Sequence, residues 1–273
     1  MFKGFYSAAS GMMTQQRNVE RLTNNMANVN TVGFKQDQAS IRSFPEMLLD
    51  RVQREKGVDN HQIPVRKRIG SMNTGAYMQE LTPNFTQGGL QSTDRSTDVA
   101  LIDGKVPEGK AAQKGSFFFI VEQGDEVRYT RNGNFALSND GYLTTNDGHY
   151  VLGQNGTRIS LTDDNFKVSE QGVVTQNGEV VGTIDIAFSN NVEDLNQEGN
   201  GLYSVETPLP SAIGNEEVSY KVNQGMLENS NVDSSQTMTE MMSAYRSFEA
   251  NQKVMQAYDK SMEKAANEVG HIS

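Results

Sequence analysis

Apolar residues recur every seven positions at both ends of this chain. Near the N-terminus, Phe5, Met12, Val19 and Met26 form one row, and Ala8, Gln15, Leu22 and Val29 form a second row three residues on. These are the a and d positions of a coiled-coil seam, with Gln15 as its polar member. The helix they predict fails in the Asn-rich stretch Asn24–Asn30, and Gly33 prevents its return. The C-terminal end repeats the pattern. Met241, Phe248, Met255 and Met262 lie seven apart, and Ala244, Asn251, Tyr258 and Ala265 follow three further on. Asp233 or Ser234 suits the N-cap, and Glu249 with Lys253 adds a favourably ordered i,i+4 pair. A helix over 233–268 would be about 54 Å long. Each stripe is too narrow to make its own globule, so it needs a partner helix: the other terminus, or the same stripe on another copy.

Between the ends the period changes. Phe117-Phe118-Phe119-Ile120-Val121 reads as a buried strand. The turn dipeptides Asn132-Gly133, Asp140-Gly141, Asp147-Gly148, Asn155-Gly156 and Asn177-Gly178 then follow, and such pairs supply the positive φ angles of tight hairpins. Strand is also expected over Thr183–Phe188 and Gly201–Glu206. The fold class is therefore α+β, with long terminal helices paired as a coiled coil and a central antiparallel β-domain. Its divisions are 1–35 with 233–273 as the helical region, 36–75 as a connector, and 76–232 as the β-rich domain. Within the connector, Ser43–Lys56 is expected to form a short helix and the rest an extended linker.

Glycine and proline agree with this division. Twenty of the 25 glycines lie between Gly57 and Gly214, and all six prolines between Pro45 and Pro210, so the ends are nearly free of helix breakers. The net charge of −10 is unevenly spread. Residues 1–35 carry four basic and one acidic side chain; 36–75 carry seven and five; 76–233 carry nine and twenty-three; and 234–273 carry four and five. The acidity sits in the middle, and the near-neutral ends can pack without strong repulsion. An acidic chain disfavours nucleic acid and anionic membrane as partners. With no cysteine there is neither a disulfide framework nor a thiolate metal site. The start Met1–Ser7 lacks the apolar core of a secretory signal, and no run of eighteen apolar residues suggests membrane insertion.

Candidate chemistry is sparse. The three histidines, His61, His149 and His271, fall in no metal or triad motif. Asp163-Asp164 reads as a solvated turn, and Asp140 and Asp147 lack the spacing of a calcium loop. Ser261–Lys264 imitates an S-x-x-K motif but lies on the heptad helix. Met241, Met255 and Met262 share one face and read as packing, and Arg66-Lys67-Arg68 as a solvated or subunit-contact patch. No catalytic residue, cofactor or metal is expected, and a secreted hydrolase is disfavoured for want of a nucleophile–base pair.

Three segments carry a resemblance. Asn24-Asn25-Met26-Ala27-Asn28-Val29-Asn30-Thr31-Val32-Gly33-Phe34-Lys35 resembles the signature N-N-x-A-N-x-x-T-x-G-[FY]-K of flagellar basal-body rod and hook proteins. Asn229-Ser230-Asn231-Val232-Asp233 and the helix after it resemble that family's C-terminal segment. Tyr129–Phe135, Asn139–Leu143 and Val151–Gly153 are similar to its β-domain. The start Lys3-Gly4-Phe5-Tyr6 and Phe44–Leu49 look like Bacillus-type, distal-rod-like members. One departure is Asp103–Gly115, where the family has a short glycine link.

The resemblance implies a non-enzymatic structural subunit of the flagellar rod, exported by the flagellar type III apparatus without a cleaved signal and placed in the basal body. It would polymerise with copies of itself and with other rod and hook proteins. A hook or rod–hook junction protein is the alternative. The expected assembly residues are Phe5, Met12, Val19, Leu22, Met26, Met241, Phe248, Met255, Tyr258 and Met262. The signature residues are Asn24, Asn25, Ala27, Asn28, Thr31, Gly33, Phe34 and Lys35; their loop and the segment after it would bridge to neighbours. The β-domain would make lateral contacts.

Overall fold

A computed structural model describes residues 2–56, 62–107 and 115–269. The chain divides into two compact units: one comprises residues up to Asn24, Gln38–Leu81 and the chain from Ser235 on, and the other Asn25–Asp37 with Thr82–Ser234.

The first unit holds two helices, α1 (Phe2–Ala27) and α2 (Ser234–Val269). Both form where breakers are scarce. They lie side by side in opposite directions. Gly4 meets the ring of Tyr258, Gly11 meets the amide of Asn251, and Val19 and Leu22 cluster with Ala244 and Met241. As the position on α1 rises, the position on α2 falls, and Gly4, Gly11, Asn251 and Tyr258 keep the seven-residue step.

Two strand pairs complete this unit. Asp37–Ser43 pairs with Ala76–Pro83, and Met47–Lys56 pairs antiparallel with Gln62–Met72. The second pair corrects the short helix expected over Ser43–Lys56. Leu48, Leu49, Arg51 and Gln53 have good intrinsic helix propensity, but each pairs with a residue of the returning strand, in the register Leu48↔Ser71, Leu49↔Gly70, Arg51↔Lys67 and Gln53↔Val65. That non-local ladder outweighs a propensity of a few tenths of a kcal/mol per residue. The extended-linker expectation is likewise replaced by paired strands over Gln62–Met72.

The second unit is built on a nine-stranded sheet around Ser116–Gln123. One edge of that strand pairs with Glu126–Thr130, beyond which lie Leu202–Ser204 and Asn196–Gly199. Its other edge is shared: Ile186–Ser189 pairs with the first half and Tyr150–Gly153 with the second. Leu143–Thr145 and Phe135–Leu137 continue the sheet, and Thr157–Arg158 joins Tyr150–Gly153. Successive side chains of a strand point to opposite faces. Phe117, Phe119 and Val121 therefore enter one apolar core with Val99, Leu101, Phe135 and Ile186, while Phe118 enters another with Phe85, Tyr129 and Tyr203. Both faces are covered, so this strand reads as an unbroken apolar run. Smaller pairs flank it: Phe166–Val168 with Val173–Gln176 and Glu179–Thr183, Val99–Asp103 with Tyr220–Gln224, and Leu90–Ser92 with Met226–Glu228.

The hairpin dipeptides mostly do what their chemistry suggests. Asn155-Gly156 and Asn177-Gly178 have positive φ at both residues. Asn132-Gly133 is the exception, and its Gly133 is outside the left-handed region. A Cβ there would overlap the Val99 carbonyl, whose own amide donates to the Gly133 oxygen at 2.9 Å. This glycine allows a close approach between two segments of the chain and does not make a turn.

Candidate functional site

The helical stripes come first. Ala8, Val19 and Leu22 are buried on α1, and Leu22 is fully so; Phe5, Met12 and Met26 are half-buried. On α2, Ala244 is buried and Met241, Phe248, Asn251, Met255, Tyr258 and Met262 are half-buried, while nearly every other position past Phe248 is exposed. Of the residues expected at the assembly interface, Val19, Leu22 and Met241 cluster with Ala244 between the two helices, and Tyr258 meets Gly4. Other faces stay uncovered. Tyr6 and Met13 are exposed on α1, as are Met238, Met242, Tyr245 and Val254 on α2. The strand pair Met47–Lys56 and Gln62–Met72 likewise exposes Met47, Leu48, Val52 and Ile69.

The signature begins in the last turn of α1 and continues as a loop of the second unit after Ala27, and most of its polar groups are used inside the chain. The α-helix ends at Ala27. Asn25 is buried and exchanges two hydrogen bonds with the Asp37 backbone, both 3.0 Å. Thr31 Oγ1 donates to Asn28 Oδ1, and the Phe34 amide donates to the Thr31 carbonyl. Asn24 and Ala27 are exposed, and Phe34 is buried. Gly33 has φ +68° and lies on the Arg131 backbone, where a Cβ would stand 2.6 Å from the carbonyl carbon. Only glycine fits, for backbone angle and for space.

Lys35 leads into a buried cluster of charge. Its Nζ donates to Glu228 Oε1 at 2.8 Å and to the Thr86 carbonyl at 2.9 Å. Glu228 Oε2 accepts from Arg131 Nε at 3.0 Å, and Arg131 Nη1 reaches Asp103 Oδ1 at 2.7 Å and the Phe117 carbonyl at 2.8 Å. Lys35, Arg131 and Glu228 are at most 1% exposed, and Asp103 is 19% exposed at its side chain. The four formal charges cancel, as a buried set must. Burial holds the Lys35 ammonium below its usual pKa, and Arg131 adds to this, while Glu228 opposes both. Burial also works against the Arg131 charge, but Glu228 and Asp103 outweigh it and its pKa is raised.

Glu228 ties further groups. Its carboxylate accepts from the Gly88 amide and its carbonyl from the Gly33 amide, at 2.9 and 2.8 Å. Three residues on, Asn231 Oδ1 accepts from the Gln36 amide at 2.7 Å, and its Nδ2 donates to the Asn84 and Thr86 carbonyls. Arg131 and Asn231 stand in segments that carried the resemblance, but their roles were not legible there. Glu228 and Asp103 were missed as site residues. The available signal was weak: Glu228 directly precedes Asn229–Asp233, and Asp103 opens the departure at Asp103–Gly115, part of which lies outside the described residues.

The donors and acceptors of the cluster are spent on one another and on the backbone of Thr86, Gly88, Leu101 and Phe117. Its chemistry is that of a fastening. Among the described residues, no helix is long and apolar enough to cross a membrane.

Comparison with known proteins gives matches along most of the chain. Residues 5–35 match the flagella basal body rod protein family, 112–205 the flagellar hook protein FlgE/F/G D1 domain, and 223–268 the C-terminal part of flagellar basal body rod FlgEFG proteins. The chain is similar to the flagellar hook-basal body complex protein FlhO of Bacillus subtilis, 50% identical over 100% of both chains. It is similar to the flagellar basal-body rod protein FlgG of the same organism, 30% identical over 98% of this chain and 99% of that one. FlgG of Borreliella burgdorferi is 31% identical over 98% of each.

Proposed function

The chain belongs to the flagellar basal-body rod and hook family, whose members are structural proteins and not enzymes, and from that premise we propose that it is a rod subunit that polymerises axially through its terminal helices. As a member it is a structural axial component of the bacterial flagellum, placed in the basal body and assembled with other rod and hook proteins. The finer reading is that α1 and α2 form a coiled-coil pair, that the β-rich unit makes lateral contacts, and that the polymer transmits torque. Export through the flagellar type III apparatus, without a cleaved signal, belongs to the same reading.

One observation carries the proposal. Among the described residues, eighteen large apolar side chains are exposed; fourteen belong to the unit that holds the helices and the Met47–Met72 strand pair, and four to the larger β-rich unit. Exposed apolar surface concentrated in the smaller unit marks where other subunits attach. At about 25 cal/mol per Å² of apolar area, several modest interfaces hold a subunit firmly.

A deletion strain tests this by electron microscopy of isolated basal bodies. Rods that stop short support the proposal. Complete rods that lack hooks would shift it to the junction role, a reading favoured by the similarity to a protein described only as part of the hook-basal body complex. Normal swimming in the deletion strain would end both.

A further inference from the structure

We propose that Glu228 is a completion latch: the signature loop closes only after the last strand of the β-rich unit is in place, so incomplete chains cannot present a finished assembly surface. The consequence for assembly rests on the rod reading above. The latch itself does not.

The argument starts from chain order. Glu228 follows Lys35 by 193 residues and Arg131 by 97. A chain made from its N-terminus holds both cations long before it holds this carboxylate. Among the described residues, Glu228 is the one carboxylate that touches both, while Asp103 touches Arg131 alone. Closing the loop before residue 228 arrives would bury the Lys35 ammonium with no carboxylate in contact with it, which is strongly unfavourable.

The backbone gives the same answer. The Gly33, Gln36 and Gly88 amides have their acceptors on Glu228 and Asn231. Buried without them, each would be an unmade hydrogen bond. Glu228 depends on the loop in turn, because its carboxylate needs Lys35 and Arg131 beside it. Loop and final strand therefore close together.

A buried ion pair contributes little net stability compared with apolar packing, yet losing one partner is costly. That asymmetry suits a fastening that must be complete or open. It also explains why the signature ends in a lysine buried from solvent: the carboxylate that neutralises it stands 193 residues further along the chain.

The test is amide hydrogen exchange on full-length monomer. In E228Q, which keeps shape and removes charge, exchange at Gly33, Gln36 and Asp37 should rise about a hundredfold or more while the strand Ser116–Gln123 stays protected. In K35M/E228Q the remaining Arg131–Asp103 pair is neutral, and protection of the loop should return to within about tenfold of the parent. If E228Q loses protection throughout, the double variant must restore the central strand as well. A loop that stays closed in E228Q, or a double variant no better than the single one, overturns the latch.

Sedimentation of the same three proteins reads the consequence. Parent and double variant should form polymer and E228Q should not. Polymer from E228Q equal to the parent's would remove the link to assembly. A parent that never polymerises would sink the rod reading and leave the exchange data to judge the latch.

Discussion

The ring of Tyr258 lies across Gly4, so closely that a Cβ on Gly4 would fall on the tyrosine hydroxyl. Gly4 and Tyr258 stand near opposite ends of the sequence and meet where α1 and α2 run side by side. Gly11 repeats the arrangement against Asn251 one heptad on. A glycine inside a helix costs about 1 kcal/mol relative to alanine, so a close approach is what these two positions gain in return. We expect G4A to be tolerated, because the far end of a flexible side chain can move aside. G4L should wedge the helices apart and cost about 1–3 kcal/mol, as overpacking does. Exchange of the amides over residues 4–12 in G4L against G4A measures the difference.

The seam itself is tested with V19D/F248D. Val19 is buried and Phe248 half-buried on the facing sides of the helices. Each aspartate would bring a charge onto the apolar stripe, at a cost of several kcal/mol. Motility should vanish while the central strands keep their exchange protection. A double mutant that swims normally would refute an assembly role for this stripe.

The helices should not be uniformly protected in the monomer. Leu22 is fully buried and Ala244 is 3% exposed, whereas Phe5 and Met262 at the other end of the pair are only half-buried. A narrow stripe gives each outer turn little to offset its entropy. Exchange should be slowest around residues 19–23 and 241–245 and faster toward residue 5 and residue 262. Even protection along α1 would contradict this.

The strand pair Met47–Lys56 with Gln62–Met72 is two-stranded, and an isolated ribbon of that kind is marginal in water. Leu48 and Ile69 are 60% and 65% exposed, and Ile69 is the extra residue of the bulge between Arg68 and Gly70. L48S/I69S should change monomer stability by no more than about 0.5 kcal/mol per site, the usual range for exposed positions. It should nonetheless weaken polymer measured by sedimentation. Unchanged polymer would exclude this ribbon from the subunit contacts.

Alkaline stability follows from three tyrosines. Burial raises the pKa of Tyr203, Tyr129 and Tyr220 above the usual value near 10, against a smaller opposing pull at Tyr129 from the Leu209 amide that donates to its hydroxyl oxygen. The unfolded chain thus loses these protons first. The stability they hold is fully present below pH of about 10 and is lost as pH rises from there toward the folded values. Ultraviolet titration of the phenols should show a late-ionising group that shifts to about pH 10 when the protein is unfolded in urea, and Y203F should reduce its amplitude.

Much of this protein was legible in one dimension because the relevant interactions are local or periodic. The seven-residue rows contain Val19, Leu22, Met241 and Ala244, which cluster between α1 and α2, since a helix repeats its surface in a fixed number of residues whatever it packs on. The hairpins at Asn155-Gly156 and Asn177-Gly178 follow from backbone angles that each dipeptide carries with it. The signature segment was found as a string of letters. The tertiary structure alone decided what those letters do: Lys35 meets Glu228 across 193 residues, and no propensity or spacing encodes that pairing. It also made strands of Met47–Lys56 and Gln62–Met72, because a ladder between segments outweighs the preference of either one alone, and it gave Gly133 a close approach instead of a turn. Sequence determined the elements whose energy lies within a few neighbouring residues; the fold decided those whose energy exists only when distant residues meet.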